Sequence, residues 1–68
     1  MDDRDTFARN LTRLRNERGL SQEELASRVG LHRTMITGYE CRKHSPKWKN
    51  VVRIAAVLGV TVDELAKP

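Results

Sequence analysis

Sixty-eight residues, 38% of them hydrophobic, suffice for one domain around one small core and leave too little for a substrate cleft walled by two layers. No window approaches the about 18 apolar residues of a membrane span, MDDRDTF carries no apolar signal region, and lone Cys41 has no partner for an internal disulfide, which together point to the reducing cytoplasm. The net charge of +4 is unevenly placed: residues 1–32 hold six Arg against six acids and the tail from Ile54 one Lys against two, so the excess gathers between Arg33 and Arg53.

The first helix is predicted from about Thr6 to Arg18, with Phe7, Leu11 and Leu14 at helical spacing and Gly19 closing it. A second starts after Ser21, whose hydroxyl can accept from the amide of Glu24 while the Glu24 carboxylate reaches back, a capping box stapled by Leu20 and Leu25. Gly30, after Val29, permits a turn of about three residues into a third helix, from about Arg33 to Glu40. His32 takes the position before it, where Ser or Thr would cap better; it either trades capping strength for a phosphate or base contact or is simply tolerated. At about 100° per residue, Arg33, Thr34, Thr37, Gly38 and Cys41 share one arc of this helix. Met35, Ile36, Tyr39 and Glu40 share the other, with the Tyr39 hydroxyl expected at the surface.

A fourth helix, from about Pro46 to Leu58, is apolar almost all round, relieved by Lys49, Asn50 and Arg53, and is expected at the centre of the fold. Trp48 reads as a core plug at its start, the competing roles being an indole contact to phosphate or to a second copy. After Gly59 the capping device repeats, with Thr61 and Glu64 opening a short fifth helix at Val62 that stops by Pro68. Val57, Val62 and Leu65 are left in search of apolar partners, either in a homodimer contact or in the chain's own core. The predicted architecture is therefore all-α, a compact five-helix domain over residues 1–68.

The pair of helices hinged at Gly30, residues 21–40, has the layout of a helix-turn-helix, and its second member turns a short, polar, basic arc outward. Arg33 suits guanine O6 and N7 in a major groove, while Thr34 and Thr37 can bond a base edge and lay a methyl on thymine. Gln22 falls in the first turn of its helix, beside free N–H groups that favour an anion such as phosphate. Between Arg33 and Arg53 stand Arg33, Arg42, Lys43, Lys47, Lys49 and Arg53 against Glu40 alone, a local charge of +5. Such a stripe supplies salt-sensitive attraction to nucleic acid, or is an ordinary solvated surface. Arg42 and Lys43 are placed at phosphates beside the third helix, with Lys47 or Lys49 behind them, plain exposure being the alternative.

Gln22, Leu25, Ala26, Gly30, Ile36, Glu40, Pro46, Ile54, Ala55 and Leu58 match the pattern of the phage repressor/Cro helix-turn-helix family, also called XRE-like, and the chain resembles that family over nearly its whole length. The stretch HRTMITGYE also resembles the recognition helix of restriction-modification controller proteins, which carry an Arg-Thr pair at its start. The resemblance implies a sequence-specific, double-stranded-DNA-binding transcriptional regulator, working as a homodimer on half-sites about 34 Å apart. It also implies a pair between Arg15, about 40° around the first helix from Leu11, and inward-facing Glu40; both residues being solvated is the alternative. Two positions depart from the pattern: Arg42 stands where Gly is usual, and Gly38 where some relatives carry a base-reading side chain.

Cys41 and His44 have a C-x-x-H spacing, but with only His32 as a neighbour of suitable type no metal site is expected. Ser21, Ser27 and Ser45 lack triad partners and no phosphate-cradling Gly loop exists, so neither catalysis, a cofactor nor a small-molecule substrate is expected. The rival from another class is an antitoxin-like protein-interaction module, which would call for a partner-binding tail. A single-strand or RNA binder would call for exposed aromatics, and the single Trp, Tyr and Phe read as core.

Overall fold

The computed structural model describes residues 3–68, and its element order is α1 Asp3–Glu17, α2 Gln22–Val29, α3 Arg33–Glu40, α4 Trp48–Leu58 and α5 Val62–Ala66. Two helix starts differ from the predicted ones, and α1 ends one residue early, at Glu17. α1 opens three residues earlier, with Asp5 in its first turn, where negative charge favours a helix N-terminus. α4 opens two residues later: Pro46 lies outside it and Lys47, extended at φ −90°, holds the cap position without a side-chain bond.

Buried side chains from every helix meet in one core, with Leu11, Leu25, Ile36, Ile54 and Leu65 each at 0% exposure. α2 packs on α3 and α4, while α1 packs on α3 and α5. Polar groups of α1 tie down the C-terminal half: Arg18 Nε donates to the carbonyl of Leu58 at 2.9 Å, and Asn10 Nδ2 to those of Leu65 and Lys67 at 2.8 and 2.7 Å. The bonds to Leu58 and Leu65 serve carbonyls in the last turns of α4 and α5, where helix geometry leaves them without a partner in their own helix. No helix among the described residues is long and apolar enough to cross a membrane.

α4 is not the all-round buried helix its composition suggests. Asn50, Val51, Ile54, Ala55 and Leu58 face the core, whereas Trp48, Val52 and Ala56, four residues apart, form an outward stripe. Trp48 is 70% exposed and so is no core plug. Its neighbours across a shallow apolar groove are Phe7, Pro46, Val51 and Val62. Phe7 and Val51 are buried at this end of the core, and Trp48 lies outside them on the groove wall. Leu65 is wholly inside the chain's own core and offers a second copy no surface, while Val57 and Val62 lie half-buried at the edge.

Candidate nucleic-acid interface

Local chemistry forms α2 as read from the sequence. Glu24 N–H donates to Ser21 Oγ and Ser21 N–H to Glu24 Oε1, each at 2.9 Å. That amide bond leads the interactions that hold the exposed Glu24 carboxyl below its ordinary value. Gly30, at φ 83° and ψ 32°, ends the helix in the left-handed region, where a side chain would be strained, and its N–H returns to the Ala26 carbonyl at 2.9 Å. Two residues later His32 is extended and exposed and makes no side-chain cap bond, while the Met35 N–H in the first turn of α3 donates to the His32 carbonyl at 3.0 Å.

The seating of α3 decides what it can present. Ile36 and Tyr39 are buried, with the Phe7 ring edge-on to Tyr39 at 5.4 Å. The Tyr39 hydroxyl is not at the surface: it accepts from Asn50 Nδ2 at 2.8 Å inside the core, which also accounts for a buried Asn on α4. A signal for this pairing was present in the sequence, because Asn50 lies one helical turn before Ile54 on the apolar face. Arg33, Thr34, Thr37 and Cys41 are exposed on the opposite arc. Arg33 stands where two open grooves meet. One runs past Gln22, Glu23 and Glu24 at the start of α2 to Arg28 in its last turn, and the other past Thr34, Thr37 and Lys43.

A hydrogen-bond chain braces one flank of this arc. Arg15 grips the Glu40 carboxylate twice, Nε to Oε2 at 2.6 Å and Nη2 to Oε1 at 3.0 Å, and its Nη1 donates to the Leu20 carbonyl at 2.8 Å. Burial pushes the Glu40 carboxyl up, but the bonds from Arg15, Gln22 and Thr12 and the Arg15 charge outweigh it and hold the group below its ordinary value. The Arg15 guanidinium is raised in turn, chiefly by its bond to Glu40. Gln22 Nε2 donates to Glu40 Oε1 at 3.0 Å, and Thr37 Oγ1 donates to Gln22 Oε1 at 3.2 Å. Since a carboxylate only accepts, Glu40 dictates which way the Gln22 amide points. Thr37 therefore gives its proton to Gln22, which leaves the oxygen of this exposed hydroxyl with lone pairs to accept. Sequence reasoning treated Gln22 as a phosphate ligand and missed this orienting role.

The cations fall into two groups. Lys43, Lys47 and Lys49 are exposed. Arg42 is also exposed but pairs through Nε with Asp5 on α1, and it is the one non-glycine among the described residues at positive φ, 67°. The loop thus keeps the conformation that Gly usually serves in this pattern, at a cost of about 1 kcal/mol for a side chain there.

A helix-turn-helix with a buried inner arc and an exposed polar, basic outer arc defines the class of protein. A family model described as helix-turn-helix domain matches residues 6–67, and the chain belongs to that family, in its XRE-like form. The fold is similar to the crystal structure of the hypothetical transcription factor NHTF from Neisseria, with a TM-score of 0.95 and 37% identity over 98% of this chain and 77% of that one. It is also similar to the restriction-modification controller protein C.AhdI from Aeromonas hydrophila, with a TM-score of 0.88 and 35% identity over 93% of this chain and 96% of that one. The HTH-type transcriptional regulator YqaE of Bacillus subtilis is 33% identical over 61 residues, 90% of this chain. The chain spans 53% of the length of YqaE and 63% of the Neisseria protein in full.

Proposed function

We propose that the chain is a sequence-specific regulator of transcription that lays α3 in the major groove of double-stranded DNA in the cytoplasm. The observation that carries this reading is the exposure of Arg33, Thr34 and Thr37 on one arc of a helix whose other arc is locked into the core by Ile36 and Tyr39. Arg33 reads guanine, and Thr37, with its proton committed to Gln22, accepts from an amino-bearing base while Thr34 meets a neighbouring edge. His32, Lys43, Lys47 and Lys49 hold phosphates around them. Gln22 acts at the groove's edge by orienting Thr37, and Arg42 reaches a phosphate by leaving Asp5. Two copies, joined near Val57 and Val62, bind half-sites about 34 Å apart. The similarity to proteins described as a transcription factor and a restriction-modification controller supports the regulatory role.

Selection of bound fragments from a random duplex pool tests the reading, with a symmetric consensus as the expected result. On that site Arg33→Ala is expected to cost about 1–3 kcal/mol and relax one position, whereas Lys43→Ala weakens all sequences alike and flattens the salt dependence. A uniform loss for Arg33→Ala would reduce that residue to a phosphate contact.

A further inference from the structure

Gly38 has no side chain and sits toward the outward side of α3, yet it is buried. The imidazole of His44 covers it. A Cβ built on Gly38 would lie 2.1 Å from His44 Cδ2 and 2.8 Å from Nε2, so the ring occupies the space that any other residue at position 38 would fill. The loop delivers it there by backbone geometry: Arg42 reverses the chain at φ 67°, and the amides of Lys43 and His44 both donate to the Gly38 carbonyl, at 2.8 and 3.2 Å. Tyr39 meets the imidazole edge-on, at 6.5 Å between ring centres and 85° between planes.

Despite this seat, His44 is exposed, and it walls the same groove as Arg33, Thr34, Thr37 and Lys43. The ring approaches position 38 by its Cδ2–Nε2 edge, which leaves Nδ1 on the side of the ring away from Gly38. Position 38 is one helical turn beyond Thr34, so the imidazole extends the arc on that side. Its presence there depends on a glycine beneath it.

We propose that His44 is a specificity-determining residue of the DNA-reading face, a loop-borne substitute for the side chain that position 38 lacks. Its ring donates to N7 of a purine beside the base met by Thr34. N7 is an acceptor common to adenine and guanine in the major groove, so the contact selects purine over pyrimidine. The inference rests on the reading of α3 as the major-groove helix.

The test compares selected duplex sites for the wild type, His44→Ala, Gly38→Ala and the double variant, each checked for unchanged helix content. His44→Ala is expected to lose the purine preference at one position by about five- to tenfold while the Arg33 position keeps its own. Gly38→Ala places a methyl in the ring's seat and is expected to produce the same loss, with no further effect in the His44→Ala background. On the wild-type protein, which needs no mutant to fold, a 7-deazapurine at that position is expected to weaken binding by a similar factor. If His44→Ala leaves every preference intact, weakens all sequences alike, or remains as sensitive to the 7-deazapurine as the wild type, the assignment of His44 is overturned and the reading of α3 survives. If the wild type selects no sequence at all, both fall together.

Discussion

The two flanks of α3 are held by different physics. On the Glu40 flank the restraint is ionic and directional, an Arg15 fork on a carboxylate whose side chain is 8% exposed, extended through Gln22 to Thr37. On the Gly38 flank the restraint is shape, a ring resting on a bare stretch of backbone at the surface. The first flank sets where the helix sits and how Thr37 is oriented. The second sets an exposed imidazole over the bare backbone at Gly38.

Breaking the ionic flank has the largest expected effect. Arg15→Ala leaves Glu40 partly buried without its countercharge, at an expected cost of about 3 kcal/mol and a fall in Tm of at least about 12 °C for a domain of this size. A measured loss under about 1 kcal/mol would place the pair with ordinary surface bridges and dissolve the contrast.

Titration sharpens the same point. Because the folded protein holds Glu40 below its ordinary value of 4.5, its stabilising contribution is complete above that pH and is lost as pH falls through the lower folded-state value. Urea midpoints are expected to stay level from neutrality to about pH 5 and then drop. Glu40→Gln should lower the plateau and flatten the acid limb; an unaltered limb would assign it to other carboxylates, the capping Glu24 among them.

On the loop side the effects are small. Arg42→Gly relieves a left-handed side chain, worth about 1 kcal/mol, and gives up an exposed pair with Asp5 worth about 0–1 kcal/mol. The expected balance is a gain of about 0.5 kcal/mol, read from urea unfolding, and a net loss would make that pair stronger than its exposure implies. His44→Ala, at an exposed position, is expected to change stability by less than about 0.5 kcal/mol in the same measurement.

Most of the helical frame was legible because its signals are short-range. Ser21 with Glu24 and the glycines at 19, 30 and 59 announce boundaries through bonds and backbone angles spanning a few residues. The repeat at Thr61 was legible for the same reason, although there the bond that forms is the half in which Glu64 N–H donates to Thr61 Oγ1 at 3.2 Å. The outer arc of α3 was legible as well, since a helix wheel separates Arg33, Thr34 and Thr37 from Ile36 and Tyr39.

Trp48, Tyr39, Leu65 and Gly38 were read less well, each for a reason of packing. Hydrophobicity marks Trp48 and Leu65 alike, and only the packing of the helices leaves one 70% exposed and the other at 0%. The Tyr39 hydroxyl turns inward because an Asn from another helix awaits it. Gly38 looked like a missing contact until the fold brought His44 over it.

By itself, the order of residues determined the helices, their caps and the polar arc of α3, since these depend on neighbours within about four positions along the chain. Tertiary structure alone decided that Gln22 orients Thr37, that Asp5 holds Arg42 and that His44 fills the place beside Gly38. Those contacts join separate elements, and their geometry exists only once the core has set the distances between helices.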